Sequence, residues 1–467
     1  MDMSNASKQR PHVVVVGGGF AGLQVTRDLR KVDVSVTLLD RRNFHLFQPL
    51  LYQVATGELS PANIATPLRG ILRKQKNARV VLEEVTSISL DSNEVYTTDS
   101  VIAFDYLVVA TGAIHHYFGR EEWRPLAPGL KTIENATEIR RQILGAFEAA
   151  ERSNDPDEIH DLLTFVIVGG GPTGCELAGA LAEISRHTLQ NDFRSIQPAD
   201  ARIVLVESGD APLDVYPEPL PQRAAHDLEK LGVEIQTQCR VVEIEPTHVM
   251  IRNKTTEEVS RLNTRTVLWA AGVKASPLGA ILCEAAGIES DRGGRVPVSP
   301  DLSIPGHDTV FVCGDLAQVK MEDGGEVPGL APAAMQMGAQ AAKCIRADLR
   351  SKPRPEFRYR DKGSLAVIGR CTAVGQIGSY KAKGFVAWFI WLFIHLMYIT
   401  LFRNRLLVLM QWGWTFVTHD RSARLITDGA NTDISTMEQA TGWNADPAMP
   451  STRHLESTSQ TGAGGSD

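Results

Sequence analysis

Two glycine clusters, each closing a β-branched run, hold the residues of this chain best suited to chemistry. Gly17, Gly19 and Gly22 follow Val13 to Val16, and Gly169, Gly171 and Gly174 follow Phe165 to Val168. A strand that turns on glycines into a helix offers unpaired backbone N–H groups and a partial positive charge to a pyrophosphate. Gly17 makes the tight turn, Gly19 lets the backbone approach the phosphates, and Gly22 lets the helix sit close on the sheet. Asp40 ends the next β-like run, 23 positions after Gly17, where a carboxylate can accept both ribose hydroxyls of an adenosine. Glu207 ends the matching run in the second copy, 38 positions after Gly169; the surplus, about 185–201, reads as a helix extension and loop. Ser208 and Gly209 follow it with no adjacent arginine, so that carboxylate suits NADH over NADPH. One such fingerprint is weak evidence. Two in one chain point to two bound dinucleotides, and the simplest chemistry for the pair is hydride transfer between them.

The elements that position these loops repeat as well. Tyr106 to Ala113 is a buried strand ending on Ala110-Thr111-Gly112, and Thr266 to Val273 repeats it as Ala270-Ala271-Gly272. The loops are 152 residues apart, a domain-scale duplication rather than a solenoid period. Residues 43–70 lack a period and suggest an excursion packed over a ligand rather than a strand or helix. Gln48 and Gln53 there either reach that ligand or satisfy loop backbone. Short β-like runs fill 79–97, and residues 134–163 read as a polar, helix-prone linker. Glu176 follows the second loop, placed in the first turn of its helix either to favour the dipole or to shuttle a proton. A further buried strand, Thr309 to Cys313, stops on Gly314-Asp315, whose carboxylate can bind a polyol. In the helix expected over 328–349, Gln336 and Gln340 are four apart and share a face, with small residues that would let something flat lie close.

Composition sets outer limits. The 467 residues are 43% apolar and 22% charged with net charge −7, so nothing points to nucleic acid. No apolar run precedes the first strand, which argues against a secretory signal. Cys175, Cys239, Cys283, Cys313, Cys344 and Cys371 are scattered without a C-x-x-C and read as small buried hydrophobes, not a zinc set or disulfide framework. Gly384 to Phe402 contains no charged side chain and, as one helix, would be about 28 Å long. It reads as a buried core helix, a spanning helix or a monotopic anchor. In the anchor reading Trp388, Trp391, Trp412 and Trp414 sit at headgroup level, with Lys381, Lys383, Arg403 and Arg405 on phosphates. Residues 429–467 are polar and read as a disordered tail.

Together the glycine loops, Ala110-Thr111-Gly112, Gly314-Asp315 and the membrane-seeking C-terminus resemble the type II, non-proton-pumping NADH:quinone oxidoreductases. The similarity runs over about 12–425, and its more specific parts are Gly171-Pro172-Thr173-Gly174 with Glu176, and Pro332 with Gln336 and Gln340. Met335 departs from the family, which often has alanine there. The resemblance implies an α/β fold: two Rossmann-like dinucleotide-binding domains with a C-terminal membrane-anchoring helical region. It implies an FAD-binding domain over 1–125 plus 276–355, an NADH-binding domain over 126–275, and a membrane-anchoring region over 356–428. The implied FAD contacts are Gly17, Gly19, Phe20, Ala21, Gly22, Asp40, Arg41, Ala110, Thr111, Gly112, Asp315 and Gln336. Those for NADH are Gly169, Gly171, Pro172, Thr173, Gly174, Glu176, Glu207, Ala271 and Gly272. Glu176, Gln336 and Gln340 are the expected catalytic residues, supplying protons to and orienting a membrane quinone (ubiquinone or menaquinone). A homodimer on the cytoplasmic face of the inner membrane is also implied, and no metal. Rival readings are a disulfide reductase or sulfide:quinone oxidoreductase, which need a reactive cysteine pair, a ferredoxin or rubredoxin reductase, and a non-enzymatic NADH-sensing flavoprotein.

Overall fold

Val13, Val14, Val15 and Val16 are each at most 4% exposed, so a run without polar alternation must be covered on both faces. Burial of each such side chain is worth about 1.5–3 kcal/mol. A computed structural model, describing residues 10–322 and 324–427, places this strand, His12–Val16, inside a six-stranded sheet. The expected disordered tail over 429–467 lies outside the described residues. The sheet order is Ser303–Ile304, His307–Val312, Tyr106–Val109, His12–Val16, Ser35–Asp40, Ala78–Leu82, parallel except for its first pair. Strands from both ends of the chain thus build one sheet. Helices Phe20–Asp28 and Ala331–Asp348 cross on it so closely that a Cβ on Gly338 would lie 2.4 Å from the Ala21 carbonyl oxygen.

The second sheet repeats the pattern in parallel: Val233–Gln236, Arg202–Val206, Thr164–Val168, Thr266–Trp269. Each sheet is accompanied by a three-stranded antiparallel meander, Val85–Ser89 to Val101–Ala103 in one half and Cys239–Glu245 to Val259–Asn263 in the other. The strand exits after Gly112 and Gly272 pair with each other, Ala113–His115 antiparallel to Val273–Ala275, and tie the halves together.

Three expectations change. Residues 134–163 are no linker: helix Ile133–Arg152 buries Ile139, Ile143 and Phe147 in the core with Leu51, Val54 and Phe165. Its charged residues made it look solvated, yet its apolar positions form one stripe. The 43–70 excursion contains both strand and helix, including Phe44–Leu46 paired with Ala65–Pro67 and helix Leu51–Ala55. These pieces are too short for a period to show.

The apolar C-terminal run is not one helix. After the antiparallel strands Ser364–Gly369, Thr372–Ile377 and Tyr380–Lys383 it forms helix Gly384–Tyr398, breaks, and continues as helix Phe402–Thr418. Leu401 at the break has φ 68°. Fifteen residues make about 22 Å, short of the ~30 Å hydrocarbon core. Among the described residues no helix is long and apolar enough to cross a membrane, which removes the spanning reading. The two helices form an antiparallel hairpin, with ring centroids 5.5 Å apart for Trp391 and Trp412 and 5.8 Å for Trp388 and Phe416. Trp391 and Trp412 are buried against the body and only Trp414 of the four tryptophans is largely exposed, so headgroup contact does not describe them as a set.

Candidate active site

The first glycine loop opens on a cavity of about 850 Å³, within the range of small-molecule sites. Every residue expected at FAD lines it except Gly22 and Gln336. Gly17 adopts φ 103°, and a Cβ there would lie 2.4 Å from the Ala110 oxygen. A Cβ on Gly22 would lie 1.9 Å from the Gly17 oxygen, so Gly22 works by packing, behind the loop. A Cβ on Gly19 meets nothing within 4 Å: the loop is open on the cavity side, where a pyrophosphate fits. Asp40 accepts from the Gly18 amide at 2.5 Å and the Arg42 amide at 2.7 Å. Burial pushes its carboxyl up, against those amides and the charges of Arg42 and Arg41.

Sequence reasoning missed several residues of this cavity. Arg42, Arg124, Lys131 and His115 line it, and Lys131 Nζ lies 3.8 Å from Asp315 Oδ2. His115 is held neutral, its pKa about 4, by burial and then by Lys131 and Arg124; its Nε2 is buried without a partner. None of these sits in a motif: Arg42 and the 115–131 stretch meet only in the fold.

The second loop reproduces the first. Gly169 has φ 105° against Ala271, a Cβ on Gly174 would lie 1.8 Å from the Gly169 oxygen, and one on Gly171 meets nothing within 4 Å. Glu207 accepts from the Gly170 amide at 2.5 Å and the Gly209 amide at 2.6 Å. Pro172 is the first residue of helix Pro172–Glu183, with Thr173 next. Gly272, at φ 73°, accepts from the His116 amide at 3.3 Å. Lys254 Nζ is held on the Ser208 carbonyl at 2.8 Å, a cation beside Glu207.

Glu176 is not in the first helical turn, which has no acidic residue. It faces a separate cavity of about 530 Å³ between the nucleotide-binding halves and the C-terminal hairpin. Tyr52, Gln53, Glu58 and Glu183 form one side of this cavity; Trp388, Trp391, Trp412 and Phe416 form the other. Close packing sets the helix: a Cβ on Gly179 would lie 1.7 Å from the Ile368 oxygen of the C-terminal sheet. Surrounding protein displaces bulk water and pushes the Glu176 carboxyl up to about 8, with the Val367 backbone opposing. Trp412 Nε1 donates to Gln53 Oε1 at 2.9 Å, and Gln53 Nε2 to the Tyr52 hydroxyl at 3.2 Å. Gln53 therefore belongs to this cavity, while Gln48 lines the first.

Gln336 and Gln340 do share a helix face, but segment 355–360 covers it. Gln336 exchanges two hydrogen bonds with the Arg360 backbone, at 2.9 and 3.0 Å, and buried Gln340 donates to the Pro355 carbonyl. Neither lines either cavity; Ala334 is the residue this helix contributes to the first.

Comparisons with known proteins agree with this geometry. Residues 11–338 match the pyridine nucleotide-disulphide oxidoreductase family and residues 362–418 the NDH2 C-terminal domain. The chain is 44% identical to the type II NADH:quinone oxidoreductase Ndh of Mycobacterium tuberculosis over 427 residues, covering 90% of this chain and 91% of that one. It is 42% identical to NdhA of the same organism, covering 97% of each. A solved NDH2 from Plasmodium falciparum has the same fold, with TM-score 0.82 at 18% identity over 90% of this chain and all of that one.

Proposed function

The chain belongs to the type II NADH:quinone oxidoreductases, and from that membership we propose how its own residues divide the work. It is a membrane-associated flavoenzyme of electron transport that passes two electrons from NADH to a quinone without pumping protons. Bound FAD would supply the hydride-accepting and two-electron-transfer chemistry between NADH and quinone. The first cradle holds FAD, with Asp40 for its ribose and Gly19 open to its pyrophosphate. The second holds NADH, with Glu207 and Gly171 in the same duties. The observation that carries this reading is their relation to the cavity that Glu176 faces. The helix that starts at the second cradle carries Glu176 into a space walled by an aromatic hairpin.

There Glu176 holds a proton at neutral pH and gives it to the reduced quinone. Gln336 and Gln340 act by fixing segment 355–360 rather than by touching quinone. In domain terms, 1–125 with 276–355 serves FAD, 126–275 serves NADH, and 356–428 meets the lipid. We also assign a homodimer on the cytoplasmic face, as the family resemblance implies. The direct test is the absorbance of the purified protein: a flavin band bleached by NADH and restored by a short-chain quinone. A colourless protein, or a band indifferent to NADH, overturns the reading.

Two consequences are measurable. Glu207 repels a 2′-phosphate, so kcat/KM for NADH exceeds that for NADPH by at least about tenfold. Glu207→Gln narrows that ratio, because Lys254 remains beside the site. On the hairpin, Phe385, Phe389, Phe393, Phe402, Met410 and Trp414 are each at least half exposed and face away from the body. Burying one such ring in lipid is worth about 1.5–3 kcal/mol. Phe389→Asp with Phe393→Asp therefore weakens binding to lipid vesicles by roughly a hundredfold or more, measured by co-sedimentation, while NADH reduction of the flavin is unchanged.

A further inference from the structure

The reaction NADH + H⁺ + quinone → NAD⁺ + quinol takes both electrons and one proton equivalent from the hydride. One more proton per turnover comes from water. The hairpin wall of the cavity, Trp388, Trp391, Trp412 and Phe416, has no side chain that gives up a proton near neutral pH. Glu176, once it has given its proton, must be recharged from the other side.

Three carboxylates line that cavity: Glu176, Glu183 and Glu58. Facing them are Tyr52 from helix Leu51–Ala55, Arg370 and Cys371 from the C-terminal sheet, His187 after helix Pro172–Glu183, and His419 and Arg421 after the last helix. Glu183 is committed. One oxygen accepts from the Arg370 amide at 2.5 Å, and the other from the buried Arg421 guanidinium at 3.0 Å. A proton arriving there must displace a charge-assisted bond. Glu58 is placed differently. It follows the helix that carries Tyr52, its backbone amide is fixed on the Gln53 carbonyl at 2.8 Å, and it is partly open to solvent. Burial pushes the Glu58 carboxyl up, with Arg421 opposing and Glu183 adding a smaller upward push. Tyr52, on the helix just before Glu58, lines the same cavity as both Glu58 and Glu176, and its hydroxyl accepts from Gln53 Nε2 at 3.2 Å.

We propose that Glu58 is the solvent-side proton relay of the quinone site, passing its proton through the Tyr52 hydroxyl to Glu176. In each turnover Glu176 loses a proton to quinone, the Tyr52 O–H proton moves to Glu176, the Glu58 proton moves to Tyr52, and water recharges Glu58. The Glu183–Arg421 pair is the structural frame beside this path. The inference rests on the proposed role of Glu176.

The test compares two acceptors. Quinone takes up protons, whereas ferricyanide takes electrons alone. Glu58→Gln lowers NADH:quinone turnover by about tenfold, more as pH rises, with NADH:ferricyanide activity unchanged. Millimolar formate or acetate, small acids able to enter the cavity, restores the quinone rate, and Glu58→Asp retains part of it. A structural defect would not respond to a weak acid. Wild-type quinone turnover in Glu58→Gln from pH 6 to 9, or a loss that no small acid restores, overturns the relay. If Glu176→Gln is itself without effect, the underlying reading fails instead.

Discussion

Glu176→Gln turns over quinone about a hundredfold more slowly than the wild type, while NADH bleaches its flavin at the wild-type rate. The two half-reactions separate because the residue starts in the NADH helix but ends in a different cavity. Gly169 and Gly171, which form the turn and the open floor of the nucleotide cradle, lie seven and five residues upstream of Glu176 and keep their geometry in the amide variant. The lost function is proton donation, which an amide cannot perform. The pH dependence follows with a definite sign. With a folded pKa of about 8, the carboxyl is protonated at pH 7 and ionises above 8, so wild-type quinone turnover falls as pH rises through about 8. The variant lacks that descending limb. Stability moves the same way. Between the ordinary value of 4.5 and about 8 the folded state holds a proton the unfolded chain has lost, so rising pH in that window lowers stability. Thermal unfolding of Glu176→Gln between pH 5 and 8 shows a smaller decline. A variant with wild-type quinone turnover and an unaltered alkaline limb would remove Glu176 from the mechanism.

Gly19→Val yields a folded, colourless protein, and Gly171→Val a yellow one that NADH does not bleach. Both glycines have φ −69° with extended ψ, a conformation valine adopts, and a Cβ at either meets nothing within 4 Å. The added atoms therefore meet only what occupies the cradle. Overpacking of that kind costs about 1–3 kcal/mol, a roughly ten- to hundredfold loss of affinity. Gly22→Ala and Gly174→Ala offer the contrast. There a Cβ would lie 1.9 or 1.8 Å from a loop carbonyl oxygen, so the loop itself must shift and the protein melts earlier. Circular dichroism with flavin absorbance distinguishes the pairs. If Gly19→Val retains flavin, the first loop is not the FAD cradle; if NADH still bleaches Gly171→Val, the second is not its own.

The hairpin illustrates how far local pattern carries. Its apolar character and flanking cations were legible, since both are properties of consecutive residues. Its break at Ile399–Leu401 was not, because no proline or glycine marks it; Thr400 and Asn404 turn inward to hydrogen-bond Thr66, more than three hundred residues away in sequence. The same long-range packing turned Trp391 and Trp412 inward.

What the residues determined alone were the two strand–glycine–helix units, their acidic partners Asp40 and Glu207, and the shared strand exits, because each is a local pattern: a glycine turn after one strand and a carboxylate closing the next. Tertiary structure decided which side chains meet across those units. Gln336 and Gln340 kept the spacing foreseen for them, yet a neighbouring segment covers their face. Glu176 gained its proton from burial that no spacing encodes. Helical and strand periods report what faces the same way on one element; a cavity and its electrostatics depend on which other elements close over that face.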